Sequence, residues 1–138
     1  MINYEDILTI APFSLSKKPK EHLLTEKLRQ LTIIHYQKSK EYKRILDAIG
    51  MNPEEIRSYY DIPFLPVSLF KELDLLSIDN SEVFKIVTSS GTTGQAVSKI
   101  YLNRTTASNQ QKTLVKIVSD FTGSARMPML IIDSPSVV

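Results

Sequence analysis

Between two runs rich in β-branched and aromatic residues, the chain places Thr-Ser-Ser-Gly-Thr-Thr-Gly-Gln-Ala-Val-Ser-Lys at positions 88–99. Glycine is scarce elsewhere, with only four in 138 residues, so Gly91 and Gly94 three apart are a marked concentration. Residues 82–89 and Ile100-Tyr101-Leu102 have strand composition, so this run has to connect two strands through a tight polar loop. Glycine lets the backbone approach an anion closely, and exposed N–H groups point at anionic oxygens. Ser89, Ser90, Thr92 and Thr93 add hydroxyl donors, and Lys99 brings a positive charge to a phosphate or simply lies on the following strand. The same residues also suit a polar hairpin turn, and composition alone leaves both readings open.

Two common phosphate motifs are excluded. A Walker A loop needs Gly-x-x-x-x-Gly-Lys-Ser/Thr before a helix, whereas Gln95 follows Gly94 and a strand comes next. A dinucleotide fingerprint needs Gly-x-Gly-x-x-Gly, which does not occur.

The first half reads as helical. Residues 1–20 contain Pro12 and Pro19 and are expected to be an irregular lead-in with a short turn at 4–8, Lys17-Lys18-Pro19-Lys20 being a solvated loop before a helix. Over 21–49, Leu24, Leu28, Leu31, His35, Tyr42, Ile45 and Ile49 recur at three- and four-residue steps and share one face, with a break near Ser39 possible. His35 lies on that stripe with no acid or nucleophile spaced to partner it, and is read as a core or boundary residue rather than a base. Gly50 stands where a left-handed helix cap belongs. Asn52-Pro53-Glu54-Glu55 predicts a further start, with Asn capping, Pro in the first position and acids at the positive dipole end. That helix must be short because Pro63 and Pro66 follow, and Ser68 is expected to cap one more turn ending near Leu73.

After the two strands, Thr105 or Thr106 is expected to cap a helix to Phe121, with Ala107, Leu114, Val118 and Phe121 on one face and Gly123 as its stop. Residues 129–132 are wholly apolar, as in a strand buried on both faces. The expected fold class is α/β: a helical segment over 1–60, then over 61–138 the start of a sheet domain in β-β-α-β order.

Charge and composition narrow the function. Seventeen basic against 15 acidic residues give a formal net charge of +2, too balanced for nucleic acid as the main partner. With no cysteine, the chain holds no disulfide, thiol nucleophile or thiolate metal site, and no metal ligand set is identifiable. Glu5 and Asp6 stand where a signal peptide would carry positive charge, and no run approaches the roughly 20 apolar residues that span a bilayer. A cytoplasmic location is therefore expected, and the sequon Asn103-Arg104-Thr105 is read as chance.

Thr88-Ser89-Ser90-Gly91-Thr92-Thr93-Gly94 resembles the signature loop of the adenylate-forming superfamily. Together with Pro63-Phe64-Leu65-Pro66-Val67-Ser68-Leu69-Phe70-Lys71, Ser98-Lys99-Ile100-Tyr101-Leu102 and Asp133-Ser134-Pro135-Ser136, it is more closely similar to the LuxE-type acyl-protein synthetases. The resemblance runs from about residue 62 to the end, while the first 60 residues match only in helical character. In the superfamily the loop usually continues with Pro-Lys just after Gly-x, whereas here Gln95-Ala96-Val97-Ser98 intervenes before Lys99, which favours the acyl-protein synthetase branch.

The resemblance implies ATP-dependent activation of a fatty acid as acyl-AMP, with Mg²⁺, and transfer of the acyl group to a protein or carrier thiol. An acyl-protein reductase is then a possible partner. Ser89, Ser90, Gly91, Thr92, Thr93 and Gly94 would hold the ATP phosphates, and Lys99 matches a basic position after the loop. A phenylacetate-type aryl-CoA ligase is the alternative enzyme, and a non-catalytic phosphate-binding or interaction module the alternative of another class. Enzymes of the superfamily are far longer, so the chain is expected to be an N-terminal piece that is inactive alone, has its catalytic residues further on, and exposes apolar surface prone to self-association.

Overall fold

The computed structural model describes residues 4–89, 96–128, 130 and 132. Helices α1 (Glu5–Thr9), α2 (Lys17–Lys38) and α3 (Lys40–Ala48) come first. α2 begins four residues before the expected start, so Lys17-Lys18-Pro19-Lys20 is its first turn rather than a loop. Proline fits there because a first-turn N–H has no intrahelical partner and the fixed φ suits a helix. The Nζ of Lys27 on α2 lies 2.8 Å from Asp6 Oδ2 on α1, and this hydrogen bond lowers the Asp6 pKa and raises that of Lys27.

The periodic segment does break at Ser39, whose Oγ accepts the Tyr42 N–H at 3.3 Å and so caps α3. The chain doubles back, and the Tyr36 hydroxyl donates to Asp47 Oδ1 at 2.7 Å between the two helices. At the end of α3, Gly50 (φ 67°) donates to Asp47 C=O and Met51 N–H donates to Leu46 C=O, the paired bonds of a Schellman cap. Replacing Gly50 by Ala puts a Cβ on a left-handed residue. It is expected to lower stability by about 1 kcal/mol in urea denaturation, and an unchanged midpoint would contradict this cap.

The segment after α3 lies across α2 rather than forming the short α-helix that Asn52-Pro53 suggested. Residues Pro53–Glu55 make one 3-10 turn, with Asn52 Oδ1 accepting the Glu54 N–H at 3.1 Å. A second such turn, Tyr59–Asp61, is closed by Ser58 and Asp61 and held to α2 by Tyr59 N–H donating to Thr25 Oγ1 at 3.1 Å. Arg29 Nη2 reaches Glu54 Oε2 at 3.0 Å.

The core between these pieces contains Leu46, with no exposed surface, Ile56 and Pro53, with Thr32 and Ser39 where the helices approach. The expected stripe is thus only partly inward: Leu31, Tyr42 and Ile45 are half-buried, whereas Leu24, Leu28 and Ile49 are exposed. Small polar Thr32 can sit at the contact because its hydroxyl donates to Leu28 C=O at 2.8 Å.

His35 is exposed and stands at the edge of a cavity of about 170 Å³ that Tyr42, Leu65, Phe70 and Ser77 also line, so it is a boundary residue rather than a core one. Its Nδ1 is 2.6 Å from Ser77 Oγ, and burial of the ring lowers its pKa. The unfolded chain then takes up this proton at a higher pH than the folded one. Stability is full above about pH 6.5 and falls as pH drops through the lower folded-state value. The urea midpoint is expected to decline between about pH 7.5 and about pH 5.5, with a flatter decline in His35→Gln. Equal slopes in the two proteins would contradict the assignment.

Helix α4 (Leu69–Glu72) follows Ser68 as expected, though the Ser68 side chain makes no capping bond. Strands β1 (Lys85–Thr88) and β2 (Lys99–Leu102) pair antiparallel with Thr88 opposite Lys99 and Lys85 opposite Leu102. β1 is shorter than residues 82–89 because Asn80–Glu82 forms a 3-10 turn that Asp79 and Glu82 close. Helix α5 (Arg104–Thr122) is capped by Asn103, not by Thr105 or Thr106: Asn103 Oδ1 accepts the Thr106 N–H at 2.8 Å. Gly123 (φ 77°) ends it as expected.

The architecture is mixed: helices with a small antiparallel ribbon. Of the β-β-α-β order, β1, β2 and α5 are in place. Leu130 and Ile132 lie in no strand among the described residues, and Met129 and Ile131 fall outside them. The expected α5 face is largely open, with Leu114, Val118 and Phe121 exposed, and all four β1 residues are exposed. No helix among the described residues is long and apolar enough to cross a membrane.

Candidate phosphate-binding loop

β1 and β2 flank the Ser/Thr/Gly run on either side. Val87 and Ile86 on β1 face Ile100 and Tyr101 on β2, the β-branched and aromatic pairs that stabilise such a ladder. Beyond Thr88 the two strands stay joined for one more step. Ser89 N–H donates to Ser98 C=O at 3.1 Å, and Ser98 N–H donates to Ser89 Oγ at 3.0 Å. Ser89 and Ser98 thus close the neck of the loop. Ser98 is buried, and its hydroxyl has no hydrogen-bond partner among the described residues.

Of the residues expected to grip phosphate, Ser89 and Lys99 are described, and they stand at the two sides of this neck. Ser90, Gly91, Thr92, Thr93 and Gly94 lie outside the described residues. The Ser89 oxygen accepts the Ser98 N–H while its own O–H stays available to donate, so its first role is to close the hairpin.

Lys99 opens β2 with a half-exposed side chain whose Nζ is 3.7 Å from Asp74 Oδ1. The same carboxylate oxygen accepts the Tyr101 hydroxyl, which raises the Tyr101 pKa. Lys99 and Tyr101 are two apart on β2 and so share one face of the ribbon. Sequence reasoning missed Asp74; the signal was a lone carboxylate within the apolar run Leu73-Asp74-Leu75-Leu76. Arg104 adds a second cation at the far end of β2, stacked 4.5 Å over the Phe84 ring.

At the neck both described N–H groups are spent on closing the hairpin, which leaves the Ser89 hydroxyl and the Lys99 ammonium as donors beside the loop. Among the described residues no three His, Cys, Asp or Glu side chains gather as a metal site.

Comparison with known proteins covers nearly the whole chain. Residues 2–136 match the family described as acyl-protein synthetase, LuxE. The match takes in the helical first 60 residues, for which the motifs offered only general character. A long-chain-fatty-acid–luciferin-component ligase of Vibrio harveyi is 31% identical over 83 residues, 60% of this chain and 22% of that protein. A phenylacetate-coenzyme A ligase of Thermus thermophilus is 30% identical over 88 residues, 59% of this chain and 20% of that protein. The chain therefore spans about a fifth of the length of these curated relatives. No solved structure matches it significantly. On the match over 2–136, the chain belongs to the LuxE acyl-protein synthetase family.

Proposed function

We propose that this chain supplies the ATP-phosphate loop of an ATP-dependent acid–thiol ligase. That enzyme activates a fatty acid as acyl-AMP and passes the acyl group to a protein or carrier thiol. The supporting observation is a Ser/Thr/Gly run whose neck is closed by Ser89 and Ser98 and whose exit carries Lys99. Such a loop does no covalent chemistry. It positions the polyphosphate and offsets its charge through N–H groups, hydroxyls and one ammonium. Ser89, Ser90, Gly91, Thr92, Thr93 and Gly94 would hold the phosphates, with Lys99 beside them. ATP is the nucleotide in this reading. Mg²⁺, when bound, would supply the remaining charge neutralisation, and the open faces of β1 and α5 would pack against the rest of an adenylate-forming sheet domain.

A phenylacetate-type aryl-CoA ligase is the second reading. The two curated ligases match almost equally, at 31% and 30% identity, and differ in the acid that their names carry. ATP–pyrophosphate exchange by the full-length protein separates the readings when run with a panel of fatty and aromatic acids. Exchange driven by long-chain fatty acids supports the first, and exchange driven by aromatic acids supports the second. Absence of exchange with every acid overturns both and leaves a polar turn on a non-catalytic module.

A further inference from the structure

The short segment between α4 and the Asn80–Glu82 turn is clipped on both sides. On one side Ser77 meets His35 of α2, and on the other Asp74 meets Tyr101 and Lys99 of β2. The second contact lies at the exit of the loop, and nothing in the phosphate-loop reading accounts for it. The two partners of Asp74 are unlike. The Tyr101 hydroxyl is a direct donor, whereas the Lys99 ammonium stands off at 3.7 Å with 47% of its side chain exposed, against 65% for Asp74. A pair this open is weakly held and easily exchanged for another anion. The carboxylate, by contrast, stays in place through Tyr101 whether or not the lysine leaves.

We propose that Asp74 is the resting counter-ion of Lys99, a positioning residue that keeps the ammonium on the ribbon face beside the loop exit until a polyphosphate displaces it. This rests on the phosphate-loop reading and adds a competitor to it. Asp74 restrains a flexible side chain, and its negative charge also opposes the incoming anion. Removing only that charge should therefore strengthen binding, and only while Lys99 is present to be released.

Asp74→Asn keeps the shape of the side chain and an oxygen for the Tyr101 hydroxyl. Inorganic pyrophosphate titrated into this chain by NMR gives the dissociation constants of wild type, Asp74→Asn, Lys99→Met and the double variant. Asp74→Asn is expected to tighten binding about two- to fivefold, the range that an exposed pair commands. The same substitution in the Lys99→Met background is expected to change nothing. Weaker or unchanged binding by Asp74→Asn, or equal tightening in both backgrounds, would overturn the proposal while leaving the phosphate loop standing. A wild-type chain that binds no pyrophosphate removes the loop reading and this inference with it. Tyr101→Phe checks the anchor: it should leave binding between the wild-type and Asp74→Asn values, and an effect beyond Asp74→Asn would point to general damage to the ribbon.

Discussion

Thr93→Ala is expected to cut acid-dependent ATP–pyrophosphate exchange by about 10²- to 10³-fold, the loss that follows removal of one preorganised donor from a developing anionic transition state. In the proposed reading the hydroxyl acts on the phosphates and not on the acid. The concentration of acid giving half-maximal exchange should therefore stay close to that of wild type. Ser89→Ala serves as the comparison. Its hydroxyl oxygen already accepts the Ser98 N–H at 3.0 Å, so its loss acts first on closure of the hairpin. Exchange undiminished in Thr93→Ala would show that this residue carries no share of the phosphate contact.

The second large effect is on stability. Leu46 has no exposed surface and sits on α3 where that helix packs on α2. Leu46→Ala is expected to lower stability by about 2–5 kcal/mol, from lost transfer energy and the cavity left behind. That is a large part of the about 5–15 kcal/mol that holds an ordinary domain. Ile56→Val, one methylene smaller at a site only 3% exposed, should cost about 0.5–1.5 kcal/mol. Urea denaturation followed by circular dichroism reads both, with the slope unchanged if only the midpoint moves. A loss below about 1 kcal/mol for Leu46→Ala would mean that the helices are held by something other than this core.

Local chemistry was the legible part of this chain. The break at Ser39, the caps at Asn52 and Gly50, the stop at Gly123 and the hairpin around residues 88–99 all follow from side chains acting on backbone within a few residues. Where sequence reasoning misplaced something, a distant contact or a neighbouring competitor decided. Lys17-Lys18-Pro19-Lys20 looked like a loop because proline usually ends helices, yet a first turn tolerates it. Asn103 outcompetes Thr105 and Thr106 for the α5 cap because its carboxamide oxygen reaches the Thr106 N–H directly. The inward face of α2 and α3 is set by the crossing of the helices, which a period cannot report, so Thr32 and Leu46 are buried while Leu24 and Ile49 are not. Asp74 could not be paired with Lys99 and Tyr101 from spacing, since about 25 residues and two elements separate them. For the candidate site, the motif itself was legible. The closing pair of Ser89 with Ser98 was not, because the register of a ribbon comes from the whole ladder.

The most direct measurement on the proposed reaction is the fate of the carboxylate oxygen. Full-length protein would be given ATP, a thiol acceptor and a fatty acid labelled with ¹⁸O in its carboxyl group, and the nucleotide product analysed by mass spectrometry. Attack of the carboxylate on the α-phosphorus, followed by loss of the acyl group to the thiol, leaves one labelled oxygen on AMP. Label in AMP is the predicted result. Label in inorganic phosphate, or none in any phosphorus-containing product, would contradict activation of the acid as an acyl-adenylate.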